Sequence, residues 1–249
     1  MPDTSNVSSK LDNSSPTALL IGATGLIGGK LLERMLSEAY YQQVVVLARR
    51  ECPSVYRKFV DDNRLQWLTN ITDDGQLTPV ANCPNIDHFF CALGTTQKQS
   101  GKSGLQKVDR DLVISSAQFA VSLGAKLLSV VSARDASSTS LFFYNRTKGQ
   151  MEDGISQLPA RIHFWQPSIL LGDRNESRPM ERLAGMLLQF QFLGNLSARS
   201  GATVATAMLA AAQQTEQREP QRASQTKTKS FNIERFRVDK IDYFSKLSY

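Results

Sequence analysis

The feature that most constrains the fold is the run TALLIGATGLIGGK at residues 17–30. A short apolar run comes first, glycines follow at Gly22, Gly25 and Gly28, and a segment with helical periodicity begins directly after them. This order of strand, glycine turn and helix is typical of the first unit of a dinucleotide-binding fold. The glycines let the backbone approach a diphosphate, and the helix N-terminus attracts its charge. The alternative, a tight strand-to-helix turn without a ligand, stays open at this point.

Short apolar runs alternate with helical patterns along the rest of the chain, which predicts βαβ units and a parallel sheet. Strands are predicted at residues 18–21, 44–48, 65–68, 86–93, 127–131, 161–165 and 231–238. Helices are predicted at residues 26–39, 105–123, 142–157, 180–192 and 204–213. The predicted fold is therefore α/β, a Rossmann-type doubly wound parallel sheet with helices on both faces. Ligands of such sheets bind beyond the carboxyl ends of the strands.

The chain is predicted to contain one domain. Residues 1–16 are rich in Ser, Asn and Asp and are expected to form a disordered tail. Residues 17–249 are expected to form a single NAD(P)-binding Rossmann domain, in which 168–249 contribute a small C-terminal lobe on the substrate side. Within that part, the strongly polar run 213–230 is predicted to be a loop or a flexible connection.

Composition excludes several classes of protein. With 249 residues, 41% of them hydrophobic and 21% charged, the chain is expected to be an ordinary globular protein. The net charge of +6 comes from scattered basic residues, so nucleic acid is not an expected partner. No apolar segment reaches the roughly 20 residues that span a bilayer, so no membrane association is expected. Three cysteines without metal-ligand spacing predict no metal site and a reducing compartment, and a cytoplasmic protein is expected.

The end of the second predicted strand indicates which nucleotide is bound. An acidic residue at this place pairs with the ribose 2′-hydroxyl of NAD, whereas a basic one pairs with the 2′-phosphate of NADP. Arg49 and Arg50 stand here, and a guanidinium holds a phosphate in a forked geometry. The prediction is that NADP(H) is preferred over NAD(H). A solvated basic turn is the alternative, and Glu51, which follows directly, belongs to the same turn.

The second informative pattern is Tyr144-x-x-x-Lys148 in the helix after the fifth predicted strand. Residues four apart lie on the same side of a helix, so both side chains can point toward a bound nicotinamide ribose. The lysine ammonium is expected to lower the tyrosine pKa and make the phenol a usable acid or base. Ser132 ends the fifth strand, where its hydroxyl would either bond a substrate carbonyl or cap a turn.

Other cofactor contacts are predicted in the glycine turn and at the ends of the third, fourth and sixth strands. These residues are Thr24, Leu26, Ile27, Asn70, Leu93, Gly94, Thr95, Pro167 and Ser168. They complete a predicted site that follows the carboxyl edge of the sheet.

Four further runs carry a resemblance to a known family. They are C-A-L-G-T-T at 91–96, V-D-R-D at 108–111, Y-x-x-x-K-G at 144–149 and D-R-x-E-S-R-P at 173–179. Together with the glycine turn they resemble atypical members of the short-chain dehydrogenase/reductase superfamily, in particular the Tat-interacting-protein group. The similarity extends over about residues 17–213, and the last run is its most specific marker.

The resemblance implies a Rossmann-type fold and bound NADP(H). It implies that Tyr144 is the acid/base and that Lys148 holds the nicotinamide ribose and tunes the tyrosine. It also implies that the loop at 166–169 passes the nicotinamide end. One departure concerns the end of the fifth strand, where members commonly carry two consecutive hydroxyl residues, but here Ser132 is followed by Ala133.

The resulting prediction is an NADPH-dependent oxidoreductase that acts on a small carbonyl compound by Tyr/Lys acid–base chemistry. Two alternatives stay open. The first is a non-catalytic NADP(H)-binding regulatory or sensor protein, which the missing second hydroxyl favours. The second is an isomerase or epimerase with tightly bound NAD(P). The expected partners are a small-molecule substrate and, because many relatives pair through the corresponding helices, a second copy of the chain in a homodimer.

Overall fold

The computed structural model describes residues 15–94, 97–167, 170–171, 199–222 and 233–247. Its strands in chain order are β1 (Thr17–Ile21), β2 (Gln43–Leu47), β3 (Leu65–Leu68), β4 (His88–Cys91), β5 (Leu127–Val131), β6 (Arg161–Trp165), β7 (Leu170–Leu171), β8 (Arg199–Ser200) and β9 (Ile233–Phe236). Within these ranges, seven strands form one parallel sheet in the order β3-β2-β1-β4-β5-β6-β9. The strands β7 and β8 form a separate parallel pair.

Helices cover both faces of the sheet, as predicted. They are α1 (Leu26–Ser37), α2 (Arg57–Asp61), α3 (Gln97–Gln106), α4 (Val113–Ser122), α5 (Phe143–Ile155), α6 (Gly201–Arg222) and α7 (Val238–Ser245), with a 3₁₀ turn at Ser54–Tyr56 and a π-helical segment at Lys107–Leu112. The core divides into two apolar clusters, one beneath α1, α6 and α7 and the other beneath α4 and α5. The doubly wound parallel architecture is therefore confirmed.

The alternation of side chains along β1 explains why the strand lies at the centre. All five of its residues are buried. Leu20 joins the cluster beneath α1, whereas Leu19 and Ile21 join the cluster beneath α4 and α5. A strand with apolar side chains on both faces is stable only between two layers of helices. The order of the strands reverses between β1 and β4, and this switch point is where such sheets bind ligands.

The helix predicted at 105–123 is interrupted in the structure. Its first part belongs to α3, which contains Gly101 with a φ of 69°. The π-helical segment Lys107–Leu112 follows, and α4 ends before Gly124, which has a φ of 100°. A left-handed glycine after the last turn is the usual way in which a helix stops. The wider π turn carries the carboxylate of Asp109 inward, where it is fully buried.

The C-terminal part of the chain extends the main sheet. Strand β9 confirms the predicted late strand and pairs in parallel with β6, and the rings of Trp165 and Phe236 stack at 4.3 Å. Helix α6 confirms the predicted helix at 204–213 and packs on α1. The loop predicted from residue 213 is wrong as far as Arg222, because the helix continues through Gln, Glu and Arg residues of good helix propensity and includes Pro220 only near its end.

Several predicted features lie outside the described residues. They are the helix at 180–192, the run at 173–179, residues 223–230 of the predicted loop, and almost all of the N-terminal tail. The division of 168–249 into a substrate-side lobe therefore stays a prediction.

Candidate nucleotide-binding and catalytic site

The glycine turn lies at the switch point between β1 and β4. Gly22 has a φ of 87°, and a Cβ placed on it would lie 2.7 Å from the carbonyl carbon of Ala92. The N–H of Gly25 donates to the carbonyl oxygen of Gly22 at 2.9 Å, which closes the turn. A side chain at Gly22 would therefore be both strained and blocked by the backbone after β4.

Helix α1 begins directly after this turn, and its N-terminus has no side-chain cap. Gly25 is its extended N-cap residue; no side chain caps the helix, and no acidic residue stands in its first turn. The first backbone N–H groups of a helix lack partners within it and carry its positive dipole end. The residues present therefore fit a nucleotide diphosphate, since the turn leaves room for it and the helix end attracts its charge.

The other predicted residues of the turn have different roles. A Cβ on Gly28 would lie 2.0 Å from the carbonyl oxygen of Gly22, so this glycine lets the helix pack against the turn. Ile27 is buried in the core, Leu26 is half-buried, and Thr24 is exposed. One neighbour that the sequence did not indicate is Gly201, whose Cβ would lie 2.7 Å from the carbonyl oxygen of Leu26. The start of α6 thus supports the start of α1.

The predicted nucleotide-selecting arginines follow β2 at the same edge of the sheet. Arg49 and Arg50 are exposed, and among the described residues neither guanidinium has a hydrogen bond or an ion pair. The backbone beneath them is held, because the indole N–H of Trp67 donates to the carbonyl oxygen of Arg50 at 2.8 Å. The two side chains are therefore available to an anion, and their role in nucleotide choice stays a prediction.

Of the remaining predicted cofactor contacts, those that the structure describes follow the strands at the same edge of the sheet and differ in their surroundings. The amide nitrogen of Asn70 donates to Pro79 at 2.7 Å and to Thr78 at 3.3 Å, so it holds its own loop. Leu93 is half-buried, whereas Gly94 is exposed with open space around it. Pro167 is buried after β6. The remaining two, Thr95 and Ser168, lie outside the described residues.

The predicted catalytic pair stands on α5. Tyr144 lies in its first turn and is 38% exposed, whereas Lys148 one turn later is buried. The Lys148 ammonium lies 2.7 Å from a carboxylate oxygen of Asp109, and both side chains are at most 1% exposed. Asp109 is a site residue that the sequence did not indicate, although it stands in the V-D-R-D run. An acidic residue on a neighbouring helix is the partner that a buried lysine requires.

The pKa of Tyr144 is shifted in the direction opposite to the expected one. Protein atoms packed around the partly exposed Tyr144 withdraw its phenol from water and raise its pKa, Lys148 lowers this pKa, and Asp109 raises it again, so that the net shift of the pKa is upward. Lys148 acts in the predicted direction, but burial and Asp109 together outweigh it. Burial lowers the pKa of Lys148, yet the Asp109 carboxylate outweighs it and keeps this pKa above its ordinary value. Lys148 is therefore a permanent cation near neutral pH.

Lys148 also connects the catalytic pair to the glycine turn. Its charge acts on the thiol of Cys91, the last residue of β4, and this thiol has a pKa that burial raises to about 12. Cys91 pairs in register with Ile21, which directly precedes Gly22. The fold thus brings the glycine turn, the end of β4 and Lys148 to one place.

Ser132 is held apart from the pair. Its hydroxyl donates to the Glu152 carboxylate at 2.6 Å, two turns along α5 from Tyr144. The same carboxylate accepts from the Gln166 amide at 2.9 Å and from Arg235 of β9 at 2.8 Å. This arrangement uses the serine proton inside a buried network, so it gives no support to the expectation that Ser132 orients a substrate oxygen. Ala133, in the following position, has no hydroxyl.

A cavity of about 340 Å³ adjoins this network on the β9 side of α5. Its lining is polar and of mixed charge: Asp135, Ala136, Ser137, Ser138, Gly149, Glu152, Asp153, Gln166, Arg235 and Arg237. Neither Tyr144 nor Lys148 lines it, so this cavity is separate from the predicted catalytic pair.

The parallel sheet, the glycine turn at the switch point and the Tyr/Lys helix define an NAD(P)-binding Rossmann protein of the short-chain dehydrogenase/reductase class. A solved structure with this fold is UDP-glucuronic acid 4-epimerase from Bacillus cereus in complex with NAD, which superposes with a TM-score of 0.56. The match covers 89% of this chain and 76% of that one at 14% sequence identity, so the likeness concerns the fold.

Two curated proteins identify the family within that class. The rat (Rattus norvegicus) protein HTATIP2 is 33% identical over 176 residues, which are 70% of each chain. The protein fmp52, mitochondrial, of Aspergillus clavatus is 33% identical over 180 residues, 69% of this chain and 74% of that one. No family model matches the chain. The chain belongs to the family of HTATIP2 and FMP52, atypical short-chain dehydrogenases/reductases, which confirms the resemblance drawn from the motifs.

The prediction of a cytoplasmic protein is wrong. It is contradicted by the fungal members of the family, several of which are named as mitochondrial proteins. Free cysteines indicate a reducing compartment, but they do not distinguish one reducing compartment from another. In the part of the chain that the structure describes, helices are too short or too polar to cross a bilayer.

Proposed function

We propose that the protein is an NADPH-dependent oxidoreductase that reduces the carbonyl group of a small substrate. The observation that carries the proposal is the pair on α5, where Tyr144 is solvent-accessible and Lys148 is a buried cation 2.7 Å from Asp109. This pair lies beside the end of β4, next to the glycine turn. A proton donor, a fixed cation and a diphosphate cradle at one switch point are the parts that carbonyl reduction needs.

The nucleotide would be held by three groups of residues. Backbone N–H groups at the start of α1 would bind the diphosphate, since Gly22 and Gly28 keep that space clear of side chains. Arg49 and Arg50 would pair with the 2′-phosphate at the end of β2. Lys148 would bind the nicotinamide ribose. The preference for NADPH is carried by the two exposed guanidinium groups and by the absence of an acidic residue between Leu47 and Arg50.

The residues of the site would complete the reduction by moving one proton. NADPH, when bound, supplies a hydride to the carbonyl carbon. Tyr144 gives its phenolic proton to the carbonyl oxygen, so that the product is an alcohol and the side chain becomes a phenolate. The Lys148 ammonium stabilises this phenolate until it takes up a proton from water. Holding the donors and the carbonyl in contact accounts for much of the rate of such a reaction.

An apolar substrate is supported by the surface beside Tyr144. Leu141 and Phe142 precede α5 and are 94% and 76% exposed. Two large apolar side chains next to the proton donor are suited to the hydrocarbon part of a carbonyl compound.

A second candidate function is a sensor that binds NADP(H) without turnover. It is favoured by one observation, the bond from Ser132 to Glu152, which leaves the end of β5 without an available hydroxyl. Such a protein would use nucleotide occupancy to change the population of a form that binds a partner.

The experiment that separates these functions starts with calorimetric titration of the protein with NADPH and with NADH. We expect NADPH to bind more tightly, and a variant carrying Arg49→Asp and Arg50→Ser to lose NADPH affinity more than NADH affinity. The matched control carries Arg57→Asp and Lys58→Ser, the same change in charge on the exposed helix α2. Equal losses for both nucleotides would remove the 2′-phosphate assignment, and no binding of either would remove the function.

Turnover is then measured as NADPH oxidation with a panel of aliphatic and aromatic aldehydes and ketones. We expect Tyr144→Phe to abolish turnover while the NADPH affinity stays within a few-fold, because the phenolic proton is used only in the chemical step. Turnover that Tyr144→Phe leaves undiminished would contradict the acid/base role. Tight NADPH binding without turnover of any compound would favour the sensor.

A further inference from the structure

The polar cavity on the β9 side of α5 is built by neighbouring elements of the fold. Its volume is about 340 Å³. One wall is the stripe Gly149, Glu152 and Asp153, whose spacing of three and four residues places them on one face of α5. A second wall is formed by Arg235 of β9 and by Arg237, which directly follows that strand in an extended conformation. Two residues apart on an extended chain, these arginines lie on the same face of the sheet.

The third wall is the loop at residues 135–138, which is fixed to α5 by backbone contacts. A Cβ on Gly149 would lie 2.1 Å from the carbonyl carbon of Ser137, so only a glycine lets the loop approach the helix this closely. The side-chain amide of Asn145 donates to the carbonyl oxygen of Asp135 at 3.1 Å, and the N–H of Ser137 donates to the carbonyl oxygen of Asn145 at 3.1 Å. The shape of the cavity is therefore set by the fold, as in most small-molecule sites.

The lining of the cavity includes a buried acceptor that needs a donor. Gln166 is 3% exposed, and its Nε2 donates to the Glu152 carboxylate at 2.9 Å. This bond fixes the orientation of the amide, because a flipped amide would place its oxygen against the carboxylate. Within the described residues, Oε1 of Gln166 has no hydrogen bond. Since buried polar atoms are nearly always paired, this oxygen calls for an N–H or O–H group in the cavity.

The charges around the cavity that are left for a ligand have opposite signs. The Glu152 carboxylate is paired with Arg235 at 2.8 Å, and Asp135 is paired with the arginine before it at 3.5 Å. Asp153 and Arg237 are both exposed, and no ion pair involves either of them in the part of the chain that the structure describes. One anion on α5 and one cation after β9 therefore face a common space.

We propose that this cavity binds a small zwitterion that carries an ammonium group and a carboxylate, namely a free amino acid. The ammonium donates to Oε1 of Gln166 and pairs with the carboxylate of Asp153. The carboxylate of the ligand pairs with the guanidinium of Arg237, which holds two oxygens in a forked geometry. The ligand thereby supplies the donor that the buried amide requires and neutralises both of the remaining charges.

Other classes of ligand fit this lining less well. A simple anion would approach three carboxylates, those of Asp135, Glu152 and Asp153, and a simple cation would approach Arg235 and Arg237. A neutral molecule would withdraw the two remaining charges from water without pairing them, which is costly. The volume lies at the lower end of the roughly 300–1,000 Å³ found for small-molecule sites, which suits an amino acid better than a dinucleotide.

The test is calorimetric titration of the full chain without any nucleotide. The probes are the protein amino acids, β-alanine and 4-aminobutyrate, at millimolar concentration. Each amino acid that binds is compared with two analogues that lack one charged group, the carboxylic acid without the amine and the amine without the carboxylate. We expect at least one amino acid to bind with a dissociation constant below about 1 mM, and both of its analogues to bind at least about tenfold more weakly.

Variants of the two exposed charges show where the amino acid binds. Arg237→Gln and Asp153→Asn should each weaken its binding by about tenfold, because each removes a charged hydrogen-bond partner. The matched controls are Arg57→Gln and Asp61→Asn, the same changes on the exposed helix α2, and they should bind as the wild type does. Circular dichroism verifies that all four variants are folded.

Three results would each overturn the proposal. They are the failure of every probe to bind, equal binding of an amino acid and one of its singly charged analogues, and an affinity that Arg237→Gln or Asp153→Asn leaves unchanged. Because no nucleotide is present and neither Tyr144 nor Lys148 lines the cavity, such a result would leave the proposed oxidoreductase function standing. Loss of that function would be seen instead in NADPH binding and turnover.

Discussion

Gly28 offers a sharp test of how the glycine turn is built, because its neighbour Gly29 is a matched control. A Cβ on Gly28 would lie 2.0 Å from the carbonyl oxygen and 2.6 Å from the carbonyl carbon of Gly22. Both are backbone atoms of the turn, so the helix has to move away by about 1 Å to make room for a methyl group. A Cβ on Gly29 would meet its nearest atom, the carbonyl oxygen of Ala23, at an ordinary 3.6 Å.

The two alanine variants are therefore expected to differ in sign. Alanine is favoured over glycine inside a helix by about 1 kcal/mol, so Gly29→Ala should be neutral or stabilising by up to that amount. Gly28→Ala has the same gain but forces the turn apart, and overpacking costs about 1–3 kcal/mol or more. We expect a net loss of about 2 kcal/mol, which lowers the Tm by about 4–8 °C.

Urea unfolding followed by circular dichroism measures the free energy of unfolding of both variants, and calorimetry measures their NADPH affinity. Gly28→Ala should weaken NADPH binding by more than tenfold, since the displaced turn is the proposed diphosphate cradle. Gly29→Ala should bind as the wild type does. A Gly28→Ala protein as stable as Gly29→Ala, with equal affinity, would refute the steric reasoning.

Two further predictions concern buried polar groups outside the catalytic pair. Ser132→Ala should lower the free energy of unfolding, measured in urea, by about 1.5–3 kcal/mol, because a hydrogen bond to the charged Glu152 is lost. Its NADPH affinity should stay within a few-fold, and the exposed Ser122→Ala is the control. A tenfold loss of NADPH affinity in Ser132→Ala would instead place Ser132 in the nucleotide site. His163 is buried, and burial lowers its pKa to about 3, so only the unfolded chain takes up a proton between pH 6.5 and pH 3. Its contribution to stability is complete above about pH 6.5 and is lost as the pH falls, by about 2 kcal/mol between pH 7 and 5. His163→Phe should make the urea midpoint less dependent on pH in that range, and an unchanged dependence would contradict this assignment.

The parts of the fold that sequence predicts well are those whose pattern is local. The turn between β1 and α1 is specified by three glycines within seven residues, and each is needed for contacts within that turn or with the strand beside it. The sequence also predicts strand β9, because apolar residues return at 231–238 directly after the long polar run that ends at residue 230. The polar run itself misled the prediction, since Gln, Glu and Arg are as typical of an exposed helix as of a loop.

The parts of the candidate site that sequence missed depend on contacts between distant residues. Asp109 meets Lys148 across 39 positions, and Glu152 meets Arg235 across 83. Neither carboxylate stands in a pattern that distinguishes it from the exposed acidic residues around it. The π turn that carries Asp109 inward departs from the helical period, so a periodicity of 3.6 residues does not reveal it.

Sequence by itself determined the class of fold, because apolar runs and helical periods alternate along the whole chain. It also determined the place of the glycine turn and the pairing of Tyr144 with Lys148, because each follows from the spacing of residues within one or two turns of chain. Only the tertiary structure decided what surrounds that pair. The sheet brings the end of β4 beneath Lys148, the π-helical segment supplies Asp109, and Glu152 takes the proton of Ser132. Charge and burial act through space rather than along the chain, and the acid–base character of Tyr144 therefore depends on the folded arrangement.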